Sequence, residues 1–318
     1  MLDAAPLELA PLFTDVCPAP LEGVAHWVNA SDGVRLRVGV WKPEAARGTV
    51  LLFPGRTEYI EKYAPTAGDL ATRGFATISI DWRGQGLADR LMDDSRVGHV
   101  GSFSDYQRDV SAMIRAARVL EMPKPWFLLG HSMGGCIGLR AVMEGLPIAA
   151  AAFTGPMWGI RIAPHLRPLA WTLGRIMPAI GHGQRLAPGT KIDPYPLLEP
   201  FEGNMLTTDP KNWDMMGDQL RAHPELGLGG PSVTWLHEAL EETTALAVRS
   251  APDVPCITFL GSNERIVHVP RIHERMEGWK NGILEIVENG EHEVLMEDAE
   301  TRNQIVDMMT ARFQKAAG

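Results

Sequence analysis

The 318-residue chain has a formal net charge of −9, with 45% hydrophobic and 22% charged residues. This balance supplies enough apolar material for a buried core and argues against intrinsic disorder. The acidic excess argues against nucleic acid as the main partner, because phosphate binding requires clustered Lys and Arg.

The N-terminal region, residues 1–23, is predicted to be an arm outside the core. Its first 20 residues lack a basic start and a long apolar run, so no secretory signal is predicted. No stretch of the chain reaches the roughly 18 apolar residues that a membrane span needs. Cys17, Cys136 and Cys256 are far apart and have small or apolar neighbours, which favours buried thiols in a reducing compartment. These features predict a cytoplasmic protein.

Short apolar runs alternate with helical patterns along the chain, which predicts an α/β protein with a mainly parallel sheet flanked by helices. The alternating segment 34–41 predicts an antiparallel strand at a sheet edge. Ser104 and Gln107 form a capping-box pattern at the start of a predicted amphipathic helix. The strand candidates are TVLLF (49–53), ATISI (76–80), WFLLG (126–130), ITFLG (257–261) and ILEIV (283–287), and a further strand is expected near 149–154.

The segment 158–235 interrupts this alternation with prolines, glycines and short helical pieces. It is predicted to be a helical lid inserted into one core formed by 24–157 and 236–318. Its Trp and Met side chains either line an acyl pocket or form the insertion's own small core. From 158 to 192 it carries basic and apolar residues but no acid, which suggests contact with an anionic membrane surface. An ordinary solvated helix face is the alternative.

A single serine stands between glycines in Gly130-His131-Ser132-Met133-Gly134, which matches G-x-S-x-G. The motif lies between a predicted strand and a helix of small residues, the setting that a nucleophile elbow requires. Glycines suit so sharp a turn because neighbouring backbone leaves little room for Cβ atoms. A glycine-rich turn with a capping serine is the alternative.

A serine hydroxyl is a weak nucleophile at neutral pH and needs a base that a third group orients. Glu264 follows the strand ITFLG, and His292 follows ILEIV. Parallel sheets build their sites at the carboxyl ends of strands, and the order nucleophile, acid, base is that of G-x-S-x-G hydrolases. The alternatives are a surface pair of Glu264 with Arg265 and a surface His292 flanked by acids. His131 is expected to pack beneath the serine.

Attack on an ester carbonyl creates an oxyanion that backbone N–H groups stabilise. The predicted donors are Met133, directly after the serine, and Arg56, in the loop after TVLLF. Gly55, beside Arg56, also suits an ordinary turn. The sequence has no H-E-x-x-H, no Cys/His ligand cluster and no G-x-x-x-x-G-K-[ST] loop, so neither a metal nor a cofactor is predicted.

With these residues in place, the chain resembles α/β-hydrolases of the lysophospholipase and monoacylglycerol lipase group, bacterial lysophospholipase-like serine hydrolases above all. The resemblance spans about 49–159 and 254–296 and implies the α/β-hydrolase fold with a helical cap. It also implies Ser132 as nucleophile, Glu264 as acid and His292 as base, with Arg56 and Met133 as oxyanion donors. Glu264 stands where this group commonly has aspartate. The segments that carry the resemblance are PGRTEYIEKY, DWRGQG, VGHVGSFSDY, GHSMGG, GPMWG and GEHEVLME.

Together these features predict a serine carboxylic-ester hydrolase that cleaves a single-chain lipid ester, a monoacylglycerol or a lysophospholipid, through an acyl-enzyme. The predicted substrate-binding residues are Met157, Trp158, Met177 and Trp213. One alternative keeps the triad but acts on a short-chain ester, an amide or a C–C bond, because this fold hosts many reactions. Another is a ligand receptor on the same scaffold, for which a damaged triad is expected.

Overall fold

The computed structural model describes residues 6–16 and 21–318. Across these residues one nine-stranded sheet has the order β1-β2-β3-β5-β4-β6-β7-β8-β9. Strands β4 to β9 pair in parallel, whereas β1, β2 and β3 join through antiparallel pairs. The strands are β1 Leu9–Ala10, β2 Val24–Asn29, β3 Arg35–Trp41, β4 Thr49–Phe53, β5 Ala76–Asp81, β6 Trp126–His131, β7 Ala150–Thr154, β8 Cys256–Gly261 and β9 Gly282–Val287.

Helices cover both faces of this sheet. One hydrophobic core cluster joins the sheet to α2, α3, α7 and α8, and a second joins the other face to α1 and α9. The helices are α1 Ala64–Thr72, α2 Tyr106–Val119, α3 Met133–Met143, α4 Arg167–Ala179, α5 Tyr195–Leu198, α6 Pro210–Ala222, α7 Val233–Ala247, α8 Val269–Glu277 and α9 Ala299–Ala317. The predicted α/β architecture with a mainly parallel sheet is therefore confirmed, although β9 has no buried residue.

The predicted sheet edge at 34–41 is wrong, because β3 lies between β2 and β5. Polar residues alternate along this strand, yet they do not all face water. The fully buried guanidinium of Arg37 forms ion pairs of 2.7 Å with Glu61 and with Asp81. Carboxylates replace water as the partners of the Arg37 guanidinium. The alternation of apolar and polar residues therefore predicted a strand correctly, but it did not predict that the strand is buried.

The prediction of a capping box at the start of α2 is also wrong. The helix begins at Tyr106 after a short 3-10 turn, and no side chain caps it. The Gln107 amide donates instead to the carbonyl of Ile137 in α3, at 3.1 Å. The apolar face predicted for this helix is buried, as its spacing indicated.

Between β7 and β8 the chain forms an insertion that contains α4, α5, α6 and α7. Helix α4 packs through Gly174 against His237 of α7. Helix α7 also contacts the core, because its Glu242 accepts hydrogen bonds from Arg140 of α3. The lid limits at 158 and 235 stay a prediction, while Met205, Met216 and Trp235 of the insertion line the same cavity as Ser132.

Cys136 and Cys256 are buried free thiols, and Cys17 lies outside the described residues. Of the predicted N-terminal arm, Leu9–Ala10 adds a short strand beside β2. Within 6–16 and 21–318, no helix is both long enough and apolar enough to cross a membrane.

Candidate active site

Ser132 stands in the turn between β6 and α3 with a left-handed backbone, φ 48° and ψ −116°. A non-glycine residue with positive φ is strained, and such strain is common at functional sites. Gly134 shows how tight the turn is, because a Cβ there would lie 2.0 Å from the carbonyl oxygen of Phe53. The glycine thus permits the start of α3 to approach the end of β4 closely.

The three loops predicted to form the triad meet at the carboxyl ends of β6, β8 and β9. The Oγ atom of Ser132 lies 2.9 Å from Nε2 of His292. The Nδ1 atom of His292 lies 2.6 Å from Oε2 of Glu264. The other carboxylate oxygen of Glu264 accepts the backbone N–H groups of Ile266 and Val267, at 2.6 and 3.0 Å. One continuous line of hydrogen bonds therefore joins acid, base and hydroxyl.

The contact between His292 and Glu264 shifts the pKa values of the two groups in opposite directions. Burial would lower the pKa of His292, but the hydrogen bond and charge of Glu264 outweigh it and raise that pKa. Burial would likewise raise the pKa of Glu264, but the hydrogen bond with His292 outweighs it and lowers that pKa. Glu264 can thus orient the imidazole and stabilise the imidazolium that proton transfer creates.

His131 lies next to Ser132 in sequence but does not hydrogen-bond to it. Its Nδ1 atom lies 3.0 Å from the carbonyl oxygen of Thr154, and its ring centre lies 5.0 Å from that of His292. Burial lowers the pKa of His131 to about 4, so its ring is neutral at neutral pH. This histidine packs beside the triad and does not compete for the role of base.

The two predicted oxyanion donors lie on the loops that flank Ser132. Met133 is the first residue of α3, where a backbone N–H has no acceptor within the helix. The N–H of Arg56 has no hydrogen-bond acceptor among the described residues. The neighbouring Gly55 is held from both sides, because its N–H donates to the Glu58 carboxylate and its carbonyl accepts from Gln85 at 2.8 Å.

A buried ionic cluster, here called the Lys62 network, consists of Glu58, Lys62, Tyr63 and Glu293. The ammonium of Lys62 lies 2.7 Å from a Glu58 oxygen and 2.5 Å from a Glu293 oxygen. The hydroxyl of Tyr63 donates to Glu58 at 2.5 Å. Burial would raise the pKa of Glu58, but the charge of Lys62 lowers it to about 2. Three of these residues lie in the PGRTEYIEKY segment, but their spacing in the sequence did not predict that they form an ionic cluster.

Oxygen and nitrogen atoms of Glu58, His131 and Glu293 lie within 4.8 Å of one another, close enough to be considered as metal ligands. The Lys62 ammonium already lies between the two carboxylates. It supplies the positive charge that a buried carboxylate pair needs. The donor set therefore fits an ion-pair cluster better than a metal centre.

The triad opens into a cavity of about 410 Å³, within the size range of small-molecule sites. Met157 lines it, as do Met205, Met216 and Trp235 of the insertion. Other apolar residues of the wall are Ile160, Leu206, Leu220, Leu236, Ile266 and Val267. Apolar side chains thus form most of the surface that a substrate meets.

Trp158, Met177 and Trp213 are not on the cavity wall formed by the described residues, so their assignment as substrate-binding residues is withdrawn. The Trp158 indole packs behind the elbow and donates to the carbonyl of Gly135 at 3.1 Å. Trp213 packs edge-on against Tyr195 inside the insertion, with ring centres 5.8 Å apart. Met177 lies in α4, away from that wall. Composition indicated an apolar pocket but not which side chains face it.

A doubly covered parallel sheet, an elbow after β6, and acid and base loops after β8 and β9 define an α/β-hydrolase. Residues 44–299 match the Hydrolase_4 family, described as serine aminopeptidase, S33, and the chain belongs to this family. The predicted membership of the α/β-hydrolases is therefore confirmed.

Two relatives match the chain over different lengths. Lysophospholipase L2 of Escherichia coli strain K12 is 28% identical over 299 residues, covering 89% of this chain and 85% of that protein. The monoacylglycerol lipase of Mycolicibacterium smegmatis is 30% identical over 162 residues, covering 49% of this chain and 55% of that protein. The first of these thus matches most of this chain, and the second about half of it.

Among solved structures, a soluble variant of monoglyceride lipase from Saccharomyces cerevisiae superposes with a TM-score of 0.72 at 19% identity. The match covers 96% of this chain and 99% of that chain. The monoacylglycerol lipase of Paleococcus ferrophilus gives a TM-score of 0.67, also at 19% identity, covering 87% of this chain and 99% of that chain. These likenesses establish the shared fold.

Proposed function

We propose that the protein is a serine carboxylic-ester hydrolase that cleaves a single-chain lipid ester, a monoacylglycerol or a lysophospholipid. The observation that carries the proposal is the hydrogen-bonded line from Glu264 through His292 to Ser132, which opens into an apolar cavity. The relatives named lysophospholipase L2 and monoacylglycerol lipase support this substrate class.

In the first half-reaction Ser132 Oγ attacks the ester carbonyl carbon while its proton passes to Nε2 of His292. The carbonyl oxygen becomes an oxyanion, and the backbone N–H groups of Arg56 and Met133 donate hydrogen bonds to it. The ester C–O bond then breaks, and the leaving alcohol takes the proton from His292. The acyl group remains bound to Ser132.

In the second half-reaction His292 takes a proton from water, and the resulting hydroxide attacks the acyl-enzyme carbonyl. The bond to Ser132 Oγ breaks, the proton returns to the serine, and the fatty acid leaves. Glu264 holds its charge through both steps, because the imidazolium beside it forms and disappears twice.

The apolar cavity wall supports an acyl chain rather than a small polar group as the occupant. Burial of a methylene group against such a wall contributes about 0.8 kcal/mol. Met205 and Met216 suit acyl chains of different shape, because the methionine side chain is flexible. Affinity is therefore expected to increase with acyl length until the cavity is full.

The outer face of α4 supports peripheral contact with an anionic membrane surface. Leu169, Ile176 and Ile180 are 53%, 51% and 59% exposed at helical spacing on one face. Arg167 and Arg175 of the same helix are also exposed and lie away from this apolar face. An exposed apolar face together with cations on the polar face is typical of interfacial helices.

A cytoplasmic location is proposed on the basis of the thiols. Cys136 and Cys256 are both buried, and neither is in a disulfide. Buried free cysteines are compatible with a reducing compartment.

A p-nitrophenyl ester series of increasing acyl length tests the proposal. Ser132→Ala is expected to reduce hydrolysis by about 10⁶-fold, because the nucleophile acts in a unit with its base. Ser104→Ala, which removes an exposed hydroxyl bonded to Ser102, serves as the matched control and retains activity. Normal turnover by Ser132→Ala contradicts the triad, and a preference for acetate or for an amino-acid p-nitroanilide contradicts the lipid substrate.

A further inference from the structure

The cavity contains a cation whose charge the proposed reaction does not use. Four charged residues line it besides the histidines: Arg56, Glu58, Lys62 and Glu293. Lys62 forms ion pairs with both carboxylates. Arg56, by contrast, forms no ion pair with any carboxylate in the part of the chain that the structure describes. Only one of the two cations is therefore neutralised by the protein.

The guanidinium of Arg56 is fixed in place but keeps free donors. Its Nη1 atom donates to the carbonyl of Gly229 at 2.8 Å, and its carbon lies 5.5 Å from the ring centre of Trp235. Its Nε and Nη2 atoms bond to no described residue, and neither is among the polar atoms sealed from solvent. Burial lowers the pKa of Arg56 to about 10, which leaves the group charged at neutral pH. Two charged donors are thus available to an occupant of the cavity.

The Arg56 side chain extends from the residue whose backbone N–H is proposed to bind the reacting ester. Its backbone N–H is the proposed oxyanion donor, and three methylene groups separate its Cα from Nε. In a lysophospholipid three glycerol carbons separate the ester oxygen from the phosphate oxygen. An ester held at Ser132 therefore carries its phosphate over a span similar to that of the arginine side chain.

We propose that the Arg56 side chain binds the head-group phosphate of a lysophospholipid and favours this substrate over a monoacylglycerol. The planar guanidinium fork matches the geometry of phosphate oxygens, and the pair forms strong charge-assisted hydrogen bonds. The carboxylate of the released fatty acid is a less suitable ligand, because it forms at Ser132 itself. This assignment rests on the proposed lipid-ester hydrolysis.

The test compares kcat/KM for lysophosphatidylglycerol and for 1-monoacylglycerol of the same short acyl chain, both as monomers in solution. In Arg56→Gln the ratio of the two values is expected to fall ~10-fold or more, because one charge-assisted contact is lost. Arg56→Lys keeps the charge and should retain part of the ratio. Arg118→Gln, which removes an exposed charge from α2, should retain all of it. A ratio unchanged in Arg56→Gln overturns the proposal, because loss of a purely structural contact to Gly229 would affect both substrates.

A measurement on the unmodified protein decides the matter if Arg56→Gln does not fold. Glycerol 3-phosphate should inhibit p-nitrophenyl ester hydrolysis competitively and more strongly than glycerol does, and equal inhibition contradicts the assignment. Hydrolysis of p-nitrophenyl esters without cleavage of either lipid would instead show that the proposed function is wrong. Cleavage of both lipids with no dependence on Arg56 would show that only the phosphate site is wrong.

Discussion

The Nζ atom of Lys62 lies 2.5 Å from Oε2 of Glu293, a residue 231 positions away and adjacent to His292. On its other side the same ammonium binds Glu58, whose carboxylate holds the N–H of Gly55. One buried cation therefore ties the loop of the oxyanion donor Arg56 to the loop of the catalytic base. The relative position of the two loops depends on this charge.

Lys62→Met is expected to destabilise the fold by about 3–5 kcal/mol and to lower kcat. Removing one partner of a buried ion pair leaves the remaining charges without compensation, here those of Glu58 and Glu293. Thermal or urea unfolding measures the first effect, and ester hydrolysis below the unfolding transition measures the second.

Lys191→Met is the matched control, because Lys191 also pairs with a glutamate, Glu199, at 2.6 Å, but is 64% exposed. Surface pairs contribute about 0–1 kcal/mol, so this variant should unfold almost as the parent protein does. Equal stability of the two variants would show that the Lys62 network is not structurally important.

The pH dependence of kcat/KM should show an acid limb above the ordinary pKa of histidine. The Glu264 charge raises the pKa of His292 against the effect of burial, and only the neutral imidazole can accept the serine proton. Activity therefore falls as pH is lowered through this raised pKa. The measurement is a pH–rate profile with a soluble ester.

Glu264→Gln removes the charge that raises this pKa, so the acid limb should move to lower pH. The same variant should lower kcat by about 10²–10⁴-fold, because the imidazole loses its orienting carboxylate. Glu288→Gln, an exposed loop carboxylate before His292, should leave both the limb and kcat unchanged. An unshifted limb in Glu264→Gln would assign the acid to another residue.

Gly55→Ala tests the position of the oxyanion loop. A Cβ at this residue would lie 2.8 Å from Oε2 of Glu58 and 3.1 Å from His131, so the loop or the carboxylate must shift. Loss of one oxyanion donor costs about 10²–10³-fold in kcat, and this is the upper limit expected here, with little change in KM. Gly101→Ala is the control, because the nearest atom to its Cβ would be 3.9 Å away. Full activity of Gly55→Ala would contradict the role given to this loop.

Binding to vesicles tests the outer face of α4. Ile176→Glu should abolish sedimentation with anionic vesicles while a soluble ester is still hydrolysed, because the change removes apolar contact area and adds a repelled charge. Val248→Glu, at the end of α7 with 86% exposure, makes the same kind of change elsewhere on the surface. Equal vesicle binding by both variants would indicate that α4 is an ordinary solvated face.

The catalytic residues could be predicted from the sequence, whereas the residues that surround them could not. Ser132, Glu264 and His292 each follow an apolar strand, and a parallel sheet brings such loops to one edge whatever their separation along the chain. Local sequence patterns therefore predicted that three loops far apart along the chain lie close together in the fold. The prediction that β3 lies at the sheet edge was wrong for a physical reason. In the sequence Arg37 is a charged residue that is expected to face water, whereas in the structure it forms ion pairs with Glu61 and Asp81 inside the protein.

The walls of the cavity depend on tertiary packing and could not be predicted in this way. Trp158 and Trp213 are of the residue type typical of apolar pockets, yet the Trp158 indole donates to the carbonyl of Gly135 and Trp213 packs against the ring of Tyr195, so neither is itself on the cavity wall formed by the described residues. Likewise the pattern around Ser104 and Gln107 matches a capping box, but the Gln107 amide finds a carbonyl of α3. Lys62 has two carboxylate partners in the cavity and Arg56 has none among the described residues, a difference that depends on tertiary packing and that no local pattern records.

Reaction with a fluorophosphonate probe, followed by mass spectrometry of the digested protein, tests most directly whether His292 activates Ser132. The parent protein should carry one adduct, on the peptide that contains Ser132, and His292→Ala should label far more slowly. His273→Ala, which removes an exposed histidine of α8, should label at the parent rate. An adduct on another residue, or equal labelling of His292→Ala and the parent protein, would contradict the account.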